Sequence, residues 1–553
     1  MIAVLDGTDT ERSETAAAPE NVVRDGLPPG RQAEARPGWL QCWLEGAGAA
    51  ILLMPGLLWN ELSPTHIDGY HRLLPLTTVA RALAIDLVLL SLAALGMIRM
   101  LERVRGRAAQ SGSARRGWTA SLLWAVWISL LVARGVEGLQ EAQIMVWEFI
   151  SAAWVFPAML LLLALLRLRE RTYRGTIRGI RAGLSFLGVC LLWMVPTLIV
   201  AGVRRQPYDV QSFRKPIAAP QAGHRRIVWV LFDGMSYDQV FDHRWPGLAM
   251  PNFDQMRSQS VTFSSVRPDG RFTEDVVPSL LLGVPIRETL ATSDGWLLYR
   301  NHRQSPWRRF DSNTTLFADA HRAGWTTGLT GWYNPYCRLL RDQLDSCWMD
   351  LLPLPDHFSR DKSTLENVFG LLPSPDLAGA AAAQPQSGGS VLGRIAEIPA
   401  VDQMIGDESL DLCFVHLPFP HPPGRYDRRT GTLGEGGSYI DNLALSDRAL
   451  RRILADVGRT EAASRTTVIV SSDHSWRVWL WRDTFGWSRE DEEASEHGQF
   501  DPRPMLMVRF PGETAAAEVS HPVPLLAMHD LVERLMAGEI GSTAQLQAWA
   551  ARQ

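Results

Sequence analysis

Between Trp39 and Val203 the chain carries five long apolar stretches, at about 40–60, 79–98, 118–136, 144–166 and 183–202. Each approaches the ~20 residues that an α-helix needs to cross a hydrocarbon layer of ~30 Å. Val146–Leu166 has one charge near its start, and Gly183–Gly202 has none. The first stretch holds Glu45 and the second holds Arg81 and Asp86. An intramembrane charge costs several kcal/mol unless it is paired or near the surface. A buried helical hairpin in a soluble domain is the alternative, but soluble cores rarely supply five such runs in succession. An α-helical membrane domain of five transmembrane helices is therefore expected over 39–203.

The Arg distribution orients these helices. Arg99, Arg103, Arg105, Arg107, Arg115 and Arg116 follow the second stretch, and Arg167, Arg169, Arg171, Arg174, Arg178 and Arg181 follow the fourth. The loops after the first and third are short and poor in Arg. Both Arg-rich loops are expected to be cytoplasmic, with the N-terminus inside and everything after Val203 outside. No cleavable signal peptide is visible, and residues 1–38, acidic and rich in Ala, Pro and Gly, read as a disordered cytoplasmic tail. Trp118, Trp124, Trp127, Trp147 and Trp154 suit bilayer-facing or interfacial positions, which accounts for part of the total of 21 Trp.

Averaged over 553 residues, this division disappears into 46% hydrophobic residues, 21% charged residues and a formal charge of -4. The mean hydropathy is -0.05. These values exclude a disordered chain, a disulfide-dense mini-domain and a strongly basic nucleic-acid binder, so no nucleic acid is expected as a partner.

Residues 204–225 lack an apolar period and read as a linker. From 226 to 553 the pattern changes. Ile227–Phe232, Leu410–Leu417, Thr466–Val470 and Met505–Phe510 read as strands, with helices at about 246–258, 274–283, 314–323, 438–456 and 526–538. This alternation predicts an α/β domain with a mostly parallel central sheet covered by helices. The site of such a sheet lies at the carboxyl ends of its strands. The Ala- and Gly-rich run 378–390 reads as a surface insertion. Cys337 and Cys347 are candidates for a disulfide in an oxidising compartment, and Cys413 reads as a small core residue.

Polar residues fall where strands should end. Asp233 closes VLFDG, Thr273 lies in GRFTEDVVPS, and Asp473 and His474 close VIVSSDHSW. His416 and His421 in FVHLPFPH and His497 in SEHGQ complete the set. Two carboxylates with an imidazole suit a divalent metal such as Zn or Mn. Such an ion activates a hydroxyl and neutralises a transferring phosphoryl group. Asp233 and Asp473 equally suit turn caps, Thr273 with Glu274 and Asp275 suits a helix N-cap, and His416 suits a core histidine. The joint placement, more than any one residue, points to chemistry.

In this order the motifs resemble the alkaline phosphatase superfamily, specifically its membrane-anchored sulfatase-like phosphotransferases, such as lipoteichoic acid synthase and the phosphoethanolamine and phosphoglycerol transferases. The resemblance makes Asp233, Thr273, Asp473 and His474 metal ligands, with Thr273 the nucleophile. It makes His416, His421 and His497 substrate contacts or ligands of a second metal. The segment at Thr273 has no Cys/Ser-x-Pro-x-Arg motif, which argues against formylglycine sulfatase chemistry. FVHLPFPH has no carboxylate, so one metal is preferred and a second on His421 and His497 stays open. Arg425 and Arg503 are candidates for phosphate contact, and the Trp-rich insertion Arg477–Glu496 is expected to border the pocket or touch the bilayer.

The resemblance implies a multi-pass protein of a bacterial-type cytoplasmic membrane, with its catalytic domain outside. It would move a phospho-head group from a phospholipid donor to an envelope glycan or lipid acceptor. A membrane-tethered hydrolase using the same site is one alternative, and a non-catalytic anchored binding protein is another.

Overall fold

The computed structural model describes residues 37–54, 76–141, 152–203, 211–217, 225–292, 296–350, 391–482 and 487–553. Most of the expected tail, the insertion at 378–390 and parts of the first and fourth apolar stretches lie outside these residues.

The described residues of the N-terminal region form the helices α1 (Trp39–Leu53), α2 (Leu76–Gln110), α3 (Ala114–Glu141), α4 (Ala152–Leu166) and α5 (Glu170–Val203). Helices α2, α3 and α5 are long and apolar enough to cross a membrane. Helices α1 and α4, with 15 residues each, are shorter over the described residues. Much of the expected Arg-rich loops is helix: Arg99–Arg107 continues α2, and Arg171–Arg181 belongs to the first turns of α5. Arg is a good helix former, so the helices run on past their apolar segments.

Arg181 explains how α1 tolerates Glu45. Its Nε donates to Glu45 Oε1 at 3.0 Å, and its Nη1 donates to Glu102 Oε1 at 2.6 Å. Arg167 Nε donates to Ser121 Oγ at 2.9 Å. These contacts gather both Arg-rich segments at one end of the helices. Helices α1 and α5 cross closely, because a Cβ at Gly48 or Gly188 would lie 2.0 Å from a carbonyl oxygen of the other helix. Asp86 is buried, and neither of its carboxylate oxygens has a hydrogen-bond partner among the described residues.

The second region is built on a nine-stranded sheet. Its strands are β1 (Ser212–Arg214), β2 (Arg226–Asp233), β3 (Val261–Phe263), β4 (Thr327–Trp332), β5 (Ser346–Asp350), β6 (Leu412–Pro420), β7 (Thr466–Ser472), β8 (Leu506–Arg509) and β9 (Ala517–Val519). Their spatial order is β1-β5-β4-β6-β2-β7-β8-β3-β9. The central strands β5, β4, β6, β2 and β7 are mutually parallel, as the sequence pattern predicts. Strand β1 falls inside the expected linker and pairs antiparallel with β5.

Strand β2 shows why its sequence is apolar throughout. Ile227, Trp229 and Leu231 enter the core on one face, and Val228, Val230 and Phe232 enter the core on the other. Helices α6 (Pro251–Arg257), α7 (Thr273–Leu282), α8 (Leu316–Arg322), α9 (Val391–Gly406), α10 (Tyr439–Arg459) and α11 (Met528–Met536) cover the sheet. Helices α7, α8 and α11 pack on the Trp229 face, and α6, α9 and α10 pack on the Val230 face. Each fully buried large apolar side chain contributes about 1.5–3 kcal/mol. Strands β4 and β5, TGLTGW and SCWMD, escape a sequence reading because they lack an apolar run. Cys347 on β5 is joined to Cys337 by a disulfide with a Cα–Cα separation of 5.6 Å.

Candidate metal centre

The parallel register brings the site together. Ser472 pairs with Phe232, so β2 and β7 end side by side and release Asp233 and Asp473 next to each other. On the other side of β2, His416 of β6 lies level with Leu231. Thr273 opens α7 over the same strand ends.

The helix is not capped by Thr273. Its N-cap is Phe272, and the Thr273 hydroxyl turns away from the helix into the cluster. Oγ1 donates to Asp233 Oδ2 at 3.4 Å and lies 3.5 Å from His474 Nε2. His474 Nε2 is also 3.2 Å from Asp233 Oδ1 and 3.4 Å from Asp473 Oδ2. His416 Nε2 is 3.9 Å from Asp233 Oδ2. Asp233, Thr273, His416, Asp473 and His474 are all buried.

One of the cap readings, that for Asp473, is partly right. Asp473 Oδ1 accepts from the Gly234 and His474 backbone N–H groups at 3.1 and 2.9 Å. Its second oxygen is left without a partner. Asp233 Oδ1, Asp473 Oδ2 and His416 Nε2 are buried atoms with no hydrogen bond. One ligand atom from each of these residues fits within 4.8 Å of the others.

Orphaned buried acceptors of this kind are costly unless a cation joins them. His474 points the same way. Its Nδ1 lies 2.8 Å from the Ser475 carbonyl, which only accepts. The proton therefore sits on Nδ1, and Nε2 turns a lone pair toward two carboxylates. His416 Nδ1 is 2.6 Å from the Tyr336 hydroxyl, the outer partner that a ligating imidazole needs. The donor set fits a divalent ion, and it includes His416, which the sequence reading set apart as a substrate or second-metal residue.

Charge distribution agrees. Burial works against ionised Asp233, yet His421, His474 and His416, when protonated, hold its carboxyl well below the usual range. Burial lowers His416 against the pull of Asp233 and Asp473. Asp275, in the first turn after Thr273, is pushed up to about 7 by burial and then by Glu274.

His421 reaches the rim. Its ring centroid is 6.2 Å from that of His474 and 5.1 Å from Trp481. The Trp-rich insertion therefore borders the site through Trp481. His497 does not join. Its side chain is 77% exposed and its contact is Glu492, 3.6 Å away, because the chain leaving helix Arg489–Ala494 passes through positive φ at Glu496 and His497. The pair His421 and His497 thus does not assemble as a second metal site. Arg503 is also elsewhere: it binds Asp501 and Asp242, and donates to the Ser264 carbonyl. Arg425 is half-buried, and its backbone N–H donates to Asn442 Oδ1 at 2.9 Å.

Three residues that sequence reasoning missed surround the cluster. Tyr336 supports His416, and Arg477 Nη2 is 2.8 Å from His421 Nε2. Tyr333 has a φ of 68° and donates to Glu274 Oε2 at 2.8 Å. A non-glycine residue at positive φ is a strained position of the kind that collects at functional sites, but nothing in the local sequence announces it.

The family model described as Sulfatase matches residues 225–516. No curated protein matches the chain. Solved structures with similarity include a sulfatase from Pseudoalteromonas sp., 13% identical, covering 57% of this chain and 68% of that one, with a TM-score of 0.38. A phosphonate monoester hydrolase of Agrobacterium radiobacter is 14% identical, covering 57% and 74%, with a TM-score of 0.34. A protein in the alkaline phosphatase superfamily from Vibrio parahaemolyticus is 12% identical, covering 60% and 71%, with a TM-score of 0.34. With more than half of its length matched by the family model, the chain belongs to the sulfatase family.

Proposed function

We propose that this protein is a membrane-bound, metal-dependent phosphotransferase that moves a phospholipid head group, of phosphoglycerol or phosphoethanolamine type, to an envelope glycan or lipid acceptor. The observation that carries the reading is the Thr273 hydroxyl, buried and aimed at Asp233 and His474 at 3.4 and 3.5 Å instead of capping its helix. Asp233, Asp473, His416, His474 and Thr273 would hold one divalent ion, Zn or Mn. Bound there, the ion acidifies a hydroxyl and offsets phosphoryl charge.

Thr273 Oγ1 gives up its proton to solvent and forms a bond to phosphorus, and the bond from phosphorus to the lipid glycerol oxygen breaks. That oxygen takes up its proton from solvent. The head group stays on phospho-Thr273 until an acceptor hydroxyl displaces it. The helices long enough to span a bilayer support a lipid substrate, because they confine the site near one. We infer that the Arg-rich ends of the helices face the cytoplasm and the sheet domain lies outside. The family match favours a second reading: a tethered hydrolase in which water replaces the acceptor.

Full-length protein incubated with head-group-labelled phospholipid, with and without an acceptor lipid, separates the two. Transfer predicts labelled acceptor and a mass-shifted Thr273 peptide. Free head group released equally in both samples overturns transfer in favour of hydrolysis. Undiminished turnover by Thr273→Ala overturns both.

A further inference from the structure

We propose that Arg477 binds the anionic group of the substrate and selects a singly charged tetrahedral ester over a doubly charged phosphate monoester. This rests on the single-ion reading above. Arg477 lies three residues after His474 and is 7% exposed. Nη1 donates to the Arg271 carbonyl at 3.1 Å, and Nη2 is 2.8 Å from His421 Nε2. The guanidinium carbon lies 5.2 Å from the centroid of the Phe272 ring, immediately before the nucleophile. The side chain is thus held against both Thr273's own segment and the imidazole that borders the cluster.

Neither of those partners carries negative charge, and Nε is buried with no hydrogen bond. Among the described residues no carboxylate pairs with it. Such a buried cation is strongly unfavourable unless something anionic completes it. Arg226, also buried, has an unbonded Nη1 but is differently placed. It donates to the Ile405 and Asp407 carbonyls, at the negative end of α9.

Arg477 instead faces the start of α7, whose N-cap Phe272 makes no side-chain cap. The positive end of a ten-residue helix and a guanidinium with an unbonded N–H both lie at Phe272, the residue before Thr273. Both of the first-turn acids hydrogen-bond elsewhere, Glu274 to Tyr333 and Asp275 to Thr289, and Arg477 acts on Asp275 by charge alone. A tetrahedral anion with one oxygen toward the cluster and one toward Arg477 satisfies both.

The charges decide which anion. Two carboxylates, Asp233 and Asp473, balance one divalent ion, and the neutral imidazoles add nothing. Arg477 adds one positive charge on the substrate side of that pairing, with Glu274 and Asp275 behind it. A phosphodiester or sulfate ester, with one negative charge, cancels it. The second charge of a monoester meets no further buried cation and adds repulsion with Glu274.

The test uses full-length Thr273→Ala protein in detergent, equilibrated with manganese, so that binding is read without turnover. Diethyl phosphate and methyl phosphate are titrated separately by calorimetry at about pH 8, where the monoester is a dianion. Diethyl phosphate is expected to bind at least about tenfold more tightly. Adding Arg477→Gln should weaken diethyl phosphate by about 30-fold or more, and Arg477→Lys by less, with unchanged melting temperature and manganese content.

Equal affinity for diethyl phosphate in folded Arg477→Gln protein overturns the assignment. Tighter binding of methyl phosphate overturns the charge selection, and that comparison needs no change at Arg477. Because Thr273→Ala forms no adduct, the two proposals fail separately. Missing phospho-Thr273 in the unsubstituted protein, with Arg477-dependent binding intact, sinks only the transfer mechanism.

Discussion

The Gly234 N–H donates to Asp473 Oδ1 at 3.1 Å, across a sequence separation of 239 residues. This one bond ties the first motif to the last. It occupies one carboxylate oxygen as a strut and leaves Oδ2 facing the cluster. Gly234 is at φ +75°, and a Cβ there would stand 3.3 Å from His474 Cε1. The turn therefore needs glycine for its backbone and for the room it leaves the imidazole.

Gly234→Ala should then lower stability by about 1–2 kcal/mol and displace the His474 ring. Thermal unfolding and manganese titration of the variant check both effects. A variant with native melting temperature and native affinity would show that the strut does not position the site.

His416 and His497 should separate in metal binding. Removing a ligand or its outer partner costs metal affinity, about 10–100-fold for the outer partner. His416→Ala and Tyr336→Phe are expected to lose affinity in that order, and His497→Ala is expected to retain it. Metal content by atomic emission after dialysis decides the matter. Loss of metal in His497→Ala would falsify the placement described here.

Asp275 should give stability a pH slope. Its carboxyl is pushed up to about 7 from 3.8 by burial and Glu274, so the folded state holds the proton more tightly than the unfolded chain. The stability associated with that proton is fully present below about pH 4 and is lost as pH rises through 7. The loss is on the order of 1 kcal/mol per pH unit, reduced by residual solvation. Asp275→Asn removes this slope. Melting temperature measured across pH 4–8 should therefore rise relative to the parent as pH increases, and parallel curves would exclude the effect.

The disulfide should matter measurably. Cys337 and Cys347 close a short loop, with a sequence separation of 10, for which chain entropy gives about 2–3 kcal/mol. Cys337→Ser is expected to lower the unfolding free energy by that amount and to make the denaturation midpoint insensitive to reductant. Equal sensitivity to reductant in both proteins would assign the effect to another thiol.

Much of this was legible in the residues. The apolar runs of β2, β6, β7 and β8 stand out because each of these strands is buried on both faces, and Asp233 and Asp473 stand out as the polar residues that follow such runs. The apolar helices stand out by length. Strands β4 and β5 do not. Their burial comes from neighbours packed around small or mixed residues, as at Gly331, where a Cβ would lie 2.8 Å from the Tyr336 ring.

By itself, then, the sequence determined the elements and their polar ends, since periodicity and strand termination are written in consecutive residues. The tertiary structure decided who meets whom. His416, a core histidine by its neighbours, joins the carboxylates because β6 lies beside β2. His497, matched by motif order, turns to solvent. Arg477 acquires meaning only from Phe272 and His421, which are distant in the chain. Register and approach across a sheet depend on every strand at once, and no local window of residues contains them.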